Sequence, residues 1–472
     1  MGCCSGIAVL SKSGKRKKER TVFFNSNRKE GNAMLLPLVG YLMIFVIVVL
    51  LLKGKMTPIV VLVAVPFLAA LALGYNPTEI SEFIKKGVST TMNTAILLFF
   101  SVIFFGVMSD VGVFDIVVDF LVRKAGINVV AITAVTAVVA IIAHLDGATA
   151  TTVLITIPAM YPIFKRLRIS PLVLLCITAA GMGVMNLVPW GGPTARVATV
   201  LKMDATELWH MLIPIQVVGA VLTVSLAVIR GILEKRRLAA LGGSALLVDV
   251  PDAGVEPAGK QDGGELRRPE LLWCNVLLTL LVIGVLMFNL MTAYVVFLLG
   301  LCVALIVNYR TLKEQDGRIK AHAPAAFVIG ATMISAGAMV GILNETGMME
   351  AMARSLLGVI PPVLGGYIHM IFGVFALPLG MMIGTDAYFY GIFPLVAEVA
   401  AQYGVTPLNT GLTMIIGKNV GLMISPLVPA TYLALGLVEV ELKEHIRFSF
   451  KWLFSLSLIM LFAGVLLGVI QL

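Results

Sequence analysis

The residues of this chain best suited to chemistry are charges inside apolar runs: Asp146, Arg196, Asp386 and Lys418. A charged side chain at the centre of a bilayer costs about 2.5 kcal/mol or more, so a charge kept there points to an ion or substrate pathway. Asp146 lies in His144-Leu145-Asp146-Gly147-Ala148-Thr149-Ala150-Thr151-Thr152, followed by an apolar arm reaching Pro158. Asp386 lies in Gly384-Thr385-Asp386-Ala387-Tyr388-Phe389-Tyr390-Gly391, followed by an arm reaching Pro394. Both segments read as the same design, with small residues and an acid at a tip. A straight helix through such a cluster exposes polar groups to lipid, and irregular backbone at membrane depth is tolerated only when buried in protein or lining a cavity. A re-entrant hairpin, with its first tip near Gly147–Thr149, meets that condition. Its returning helix begins with free N–H groups and a positive dipole end, which suits an anion. The hydroxyls of Thr149, Thr151 and Thr385 can donate to a carboxylate, while Asp146 and Asp386 suit a coupling cation or proton. Either Asp can instead cap its returning helix. His144 suits proton transfer or a structural hydrogen bond.

Each hairpin is followed by a span that breaks. Gly181 to Arg196 contains Pro189, Gly191, Gly192 and Pro193, which interrupt a helix and free carbonyls for a cation. Asn186 adds a side-chain carbonyl and Thr194 a hydroxyl. Arg196 suits a substrate carboxylate, or is an interfacial Arg held by a neighbouring acid. In the second break, Gly417 to Thr431, the candidate substrate ligands are Asn419, Ser425 and Thr431. Lys418 there would neutralise an anion or replace a cation, unless it snorkels to the surface. His210, His322 and His445 flank spans and read as interfacial, whereas His369 reads as a core histidine. Asp110 and Glu345 read as structural groups at helix ends.

These residues need a membrane around them. Of 472 residues 59% are hydrophobic and only 13% charged, against about 25% in soluble domains, and mean hydropathy is +0.99. That composition excludes a soluble enzyme, a nucleic-acid-binding protein and a disordered chain. Long solid apolar runs, rather than alternation, exclude a transmembrane β-barrel. At about 20 residues per span the chain holds roughly 10–13 spans. Apolar runs fall at 34–52, 56–73, 93–109, 127–143, 170–185, 208–229, 270–288, 291–307, 325–342, 361–381, 406–424 and 450–470, with amphipathic pieces at 77–90, 111–124 and 346–358. The expected fold is an all-α polytopic membrane protein with about 11–12 transmembrane helices and two re-entrant hairpins.

The net charge of +9 sits largely in residues 1–33, where eight Lys and Arg oppose Glu19 and Glu30. This segment lacks a signal-peptide core and reads as a floppy cytoplasmic tail, or as sequence upstream of a start at Met34. Cys3, Cys4, Cys176, Cys274 and Cys302 show no metal or disulfide spacing. The linker 231–269 separates membrane halves at 34–230 and 270–472. Lys235, Arg236, Arg237, Arg267 and Arg268 flank it, so the positive-inside rule makes it cytoplasmic. Lys165, Arg166 and Arg168 agree, Lys53/Lys55 and Arg123/Lys124 fit less well, and the compromise places the N-terminus inside. The halves repeat each other: Gly106, Asp110, Gly112 and Asp115 match Gly341, Glu345, Gly347 and Glu350 at an offset of 235, while Pro158, Pro171 and Gly181 match Pro394, Pro407 and Gly417 at 236. The charge asymmetry between matched loops fits inverted repeats, a mark of secondary transporters.

HLDG at 144–147, NLVPWGGPTAR at 186–196, GTDAYFYG at 384–391 and SPLVPATYL at 425–433 resemble the citrate–divalent-metal/proton symporter family of the ion transporter superfamily. The resemblance runs from about residue 34 to the end. It implies an elevator-type transporter of the cell membrane, a likeness to relatives that assemble as homodimers, and import of citrate or a similar tricarboxylate with protons. Mg²⁺ or Ca²⁺ would arrive as co-substrate on the anion, with no resident cofactor and no metal held by the protein alone. Related sodium symporters carry Ser-Asn-Thr at each tip, where this chain has Gly147-Ala148-Thr149 and Thr385-Asp386-Ala387, which favours protons over sodium. The residue pattern leaves open a cation/proton antiporter or a sodium-coupled dicarboxylate transporter. A membrane enzyme would need a nucleophile and base that no motif here supplies.

Overall fold

In the computed structural model the described residues are 35–53, 55–114, 121, 126, 128–240, 266–357 and 361–472. The expected tail at 1–33, most of the amphipathic piece at 111–124 and the middle of the linker lie outside them. The first half comprises α1 (Leu35–Lys53), α2 (Pro58–Ala72), α3 (Pro77–Asp110), α4 (Val129–Ala143), α5 (Thr149–Arg166), α6 (Pro171–Met185), α7 (Gly192–Leu201) and α8 (Ala205–Ala240). The second comprises α9 (Leu272–Met287), α10 (Ala293–Asn308), α11 (Leu312–Glu345), α12 (Met348–Leu357), α13 (Pro362–Gly365), α14 (Ile368–Val374), α15 (Ala376–Ile383), α16 (Phe393–Gln402), α17 (Pro407–Lys418), α18 (Pro429–Val438) and α19 (Leu442–Leu466). No strand occurs among the described residues. Five helices are individually long and apolar enough to cross a membrane, and two bent pairs raise this to seven, with shorter apolar helices beside them.

The repeat extends to the helix caps. Asn76 and Thr311, 235 apart, each accept a hydrogen bond from the backbone of a Glu three residues on, which returns the bond, so α3 and α11 start with the same capping box. Both helices end before a left-handed glycine, Gly112 and Gly347, where a side chain would clash with the backbone. The expected amphipathic piece at 77–90 and the span at 93–109 are therefore one 34-residue helix. A Cβ on Gly87 would meet Gly341, and one on Gly106 would meet His322. The start of α3 thus touches the end of α11, and the end of α3 touches its start. Two equivalent helices packed antiparallel are what an inverted repeat requires, and small residues let their backbones approach without a side chain between them. Ion pairs close both ends, Lys86 to Glu345 at 2.5 Å and Asp110 to Arg318 at 3.5 Å, and Asp110 also shares a hydrogen bond with His322 at 2.8 Å.

Two expected spans are something else. The run at 127–143 is α4, the entering arm of the first hairpin, and α5 returns from it. The run at 361–381 becomes α13 to α15, the entering arm of the second, and the chain bends by 115° between α15 and the returning arm. A Cβ on Gly181 would lie 2.8 Å from Ala140 Cβ, and one on the equivalent Gly417 would lie 3.0 Å from the equivalent Ala376 Cβ. Each entering arm therefore packs on the broken span that follows it. Apolar composition does not separate an arm from a span, because both are buried in protein or lipid.

The hydrogen bonds also sort the loops onto two faces. One face holds Tyr41 with Met352, Tyr75 with Thr346, and Gln471 with His369 and Asn409. The other holds Val111 with Arg268, Arg268 with Asn308, Arg168 with Arg237, and Tyr161 with Val438. Since α1 starts on the face of Tyr41 and ends at Lys53, Leu35 lies on the face opposite Arg237 and Arg268, the described flanks of the linker. The expectation put the N-terminus and the linker together on the cytoplasmic side; residues 1–33 and 241–265 lie outside the described residues, while the described residues bordering them stand on opposite faces. The physical reason is parity: an inverted second repeat must begin on the face opposite the one where the first began. Lys53 and Lys55 now join Arg168 and Arg237 on one face.

Candidate substrate and coupling site

Both hairpin tips are built around a left-handed glycine, Gly147 with φ +72° and Gly384 with φ +79°. Each glycine rests on the break of the span that follows its hairpin. A Cβ on Gly147 would sit 3.0 Å from Trp190, and one on Gly384 would sit 3.4 Å from Leu427, at equivalent positions 237 residues apart. Trp190 Nε1 donates to the Leu145 carbonyl (2.7 Å), and Ser425 Oγ donates to the Met381 carbonyl (2.9 Å). The breaks are closed in matching fashion, with Thr194 Oγ1 donating to Leu187 O (2.9 Å) and Thr431 Oγ1 to Met423 O and Ser425 O (both 3.1 Å). Ser425, Thr431 and Thr194 thus spend their hydroxyl protons on main chain and shape the breaks.

The two acids are not equivalent, contrary to the shared design read from the sequence. Asp146 precedes its tip glycine and Asp386 follows its own. Asp146 is buried and its Oδ1 accepts from Ala148 N (2.8 Å) inside its own tip. His144 is buried beside it and shares a hydrogen bond between Nδ1 and Thr152 Oγ1 (2.6 Å), while Thr149 and Thr151 are half-buried on the first turns of α5.

Asp386 instead reaches across 190 residues of sequence. Its Oδ1 accepts from Arg196 Nε (2.7 Å) and Nη2 (2.6 Å), joining the second tip to the first turns of α7. Gly192 makes room for this guanidinium, since a Cβ there would lie 2.5 Å from Arg196 Nη1. The neighbouring Thr385 accepts from Lys418 Nζ (2.6 Å). The Lys418 side chain does not snorkel: Lys418 is 3% exposed, and its stem crosses Gly380 of α15. Arg196 and Lys418 also face the rings of Tyr390 (5.9 Å) and Phe389 (5.2 Å), which lie on a π-helical turn, Ala387–Ile392, directly after the tip. Such turns mark functional sites often enough to be informative. Arg196, Thr385, Asp386 and Lys418 are thereby gathered at one point. With Lys418 protonated, two cations and one carboxylate leave one net positive charge, and Lys418 has no carboxylate partner among the described residues.

The crossing of the two broken spans lies next to this cluster in sequence. Gly183 of α6 meets the main chain at Asn419 and Val420, so a Cβ there would collide. Asn419 is fully buried and both its amide atoms lack a hydrogen-bond partner, as does His144 Nε2. Asn186 is buried in the first break. Among the described residues no group of three or more His, Cys, Asp or Glu stands together to hold a metal.

Sequence reasoning missed Trp190, Tyr390, Phe389 and Gly380 as parts of this site. The aromatic pair directly after the tip was the readable signal for two of them. His445 is not interfacial: it is buried, and its Nε2 contacts the Met423 carbonyl at 3.2 Å in the second break. Asp110 and Glu345 are the helix-end ion-pair groups described above.

The sequence model described as citrate transporter matches residues 42–417. A Bacillus subtilis (strain 168) protein named citrate transporter is 35% identical over 437 residues, covering 93% of this chain and 100% of its own. A second from the same strain, named Mg(2+)/citrate complex secondary transporter, is 36% identical, covering 93% of this chain and 99% of its own. The crystal structure of the Alcanivorax borkumensis YdaH transporter, described as having an unusual topology, superposes with a TM-score of 0.59 at 16% identity, covering 83% of this chain and 90% of that one. That likeness concerns the fold alone.

Proposed function

Because the chain belongs to the citrate transporter family, we propose that it is a secondary symporter importing citrate, or a similar tricarboxylate, as its Mg²⁺ or Ca²⁺ complex together with protons. It is a multi-pass membrane transport protein rather than an enzyme. The observation that carries the proposal is the buried amine of Lys418, which has no carboxylate partner among the described residues and stands beside the Arg196–Asp386 pair. A buried charge without a partner is costly, and an anionic substrate is what would complete it. Arg196 would take one substrate carboxylate through its planar fork and Lys418 a second, with Thr385 between them. Gly147, Thr149 and Thr151 at the first tip, and Asn186 and Asn419 in the breaks, would contribute from the other side. Asp146, with His144 next to it, is the proposed proton site, because a carboxylate held inside an apolar fold at membrane depth gains from neutralisation. Binding a metal cancels much of the charge on citrate and lowers the cost of moving it across.

The direct test is uptake of labelled citrate into proteoliposomes, with and without Mg²⁺ or Ca²⁺ and an inward proton gradient. Uptake that needs both supports the proposal. No uptake under any of these conditions would sink the substrate, and sodium-driven pH changes without organic anion would support an antiporter.

The proposed orientation puts the face of Lys55, Arg168, Arg237 and Arg268 in the cytoplasm of a cell membrane, by the excess of Lys and Arg there. Lys55 and Lys202 are both exposed, at opposite ends of the crossing. In a background without the native cysteines, Lys202→Cys is expected to react in intact cells with a membrane-impermeant thiol reagent, and Lys55→Cys only after the cells are opened. The reverse pattern would invert the orientation. Assembly as a homodimer belongs to the same proposal, and the mass of the detergent-solubilised particle tests it.

A further inference from the structure

We propose that Asp386 selects the metal complex over the free anion by exchanging partners: a substrate carboxylate replaces it on Arg196, and the Asp386 carboxylate passes to the metal ion carried by that substrate. The inference rests on the proposed tricarboxylate substrate and adds the residue that reads its metal.

Asp386 uses one oxygen only. Both guanidinium contacts fall on Oδ1, at 2.7 and 2.6 Å, and Oδ2 has no hydrogen-bond partner among the described residues. The pair is also reachable, with 17% of the Arg196 side chain and 23% of the Asp386 side chain exposed. Asp386 therefore stands where a substrate carboxylate would stand. Its backbone is suited to leave. Thr385 and Asp386 lie between the left-handed Gly384 and the π-helical turn Ala387–Ile392, so the two-residue tip has an irregular joint on each side.

Charge decides what the site prefers. With Lys418 protonated, Arg196, Lys418 and Asp386 carry one net positive charge between them. Citrate with all three carboxylates ionised is triply negative, and its complex with one divalent cation is singly negative. Only the complex brings the cluster to neutrality, and in a low-dielectric site an unbalanced charge is expensive. The protein offers no cluster of its own to hold a metal among the described residues, so the ion must arrive with most of its oxygen ligands already on the anion. One carboxylate oxygen added by Asp386 suits Mg²⁺ or Ca²⁺, both of which prefer oxygen ligands. Two ion pairs are then exchanged for two others: Arg196 with substrate carboxylate, and Asp386 with metal. No covalent bond changes.

The test uses the full chain in proteoliposomes. Labelled citrate uptake is measured from a metal-free, chelator-containing buffer up to excess Mg²⁺, for the unaltered protein and for Asp386→Asn. The unaltered protein is expected to speed up about tenfold or more with Mg²⁺, and Asp386→Asn to respond less than about twofold, its two remaining cations favouring a doubly negative anion. Asp386→Glu, which keeps the carboxylate, is expected to keep most of the Mg²⁺ response. If Asp386→Asn does not reconstitute, the shift in Tm of the purified variants with Mg²⁺–citrate against citrate plus chelator reads the same preference. A full Mg²⁺ response in Asp386→Asn, or an unaltered protein indifferent to Mg²⁺ while carrying citrate, would overturn the inference and leave the citrate reading standing. An unaltered protein that carries no citrate removes both.

Discussion

Arg196→Ala is expected to reduce citrate uptake by about a hundredfold or more. Truncating one member of a close, largely desolvated charge pair costs about 2–5 kcal/mol, and about 2.7 kcal/mol is already a hundredfold. Two losses add here. The variant lacks the planar donor that would hold a substrate carboxylate, and it leaves Asp386 without the partner that holds Oδ1 at 2.7 and 2.6 Å. The pair is part-exposed, so the stability share lies at the low end and the uptake share dominates. The double variant Arg196→Ala/Asp386→Ala separates them. It should recover the Tm lost by the single variant and recover little of the uptake, since the guanidinium is still missing. Initial rates in proteoliposomes, corrected for reconstituted protein, make the comparison. A single variant within about threefold of the unaltered protein would mean that Arg196 serves only to hold the second tip.

Lys418→Met is expected to move stability and function in opposite directions. The amine is buried, its hydrogen bond goes to Thr385 Oγ1 and it faces a ring, with no carboxylate partner among the described residues. A buried charge without a carboxylate partner is costly, so replacing it by an apolar group of similar shape is expected to stabilise. Methionine suits the channel because its unbranched stem can follow the lysine across Gly380, where a Cβ would lie only 2.6 Å from Lys418 Cγ. The Tm of the detergent-purified variant should rise. Citrate uptake, and the Tm gain on adding Mg²⁺–citrate, should fall about tenfold or more, because a substrate carboxylate loses its cation. A variant that transports normally would remove Lys418 from the binding site.

The second prediction turns on a fact that no local pattern contained. A lysine near the end of an apolar run has two low-cost arrangements, snorkelling to the headgroups or turning inward to a polar partner. The choice here was made by Thr385 and Gly380, on another segment. The same holds for Arg196, whose partner is 190 residues away. His445 repeats the lesson: it borders a span in sequence yet reaches into the second break, because α19 packs against it.

What the sequence determined by itself was everything governed by short-range chemistry. Continuous apolar runs meant membrane helices. Clustered Gly, Pro and polar residues meant hairpin tips and broken spans, because those residues disfavour a helix whatever surrounds them. A near-constant offset of 235–236 meant a repeat. The tertiary structure decided what depends on which segments meet. It made α4 and α13 to α15 arms that turn back, it paired Asp386 with Arg196 while leaving Asp146 in its own tip, and it put Leu35 and the described flanks of the linker on opposite faces. The physical reason is common to all three: apolar composition states that a segment is out of water, but not whether lipid or another helix covers it, and only packing settles which charge meets which.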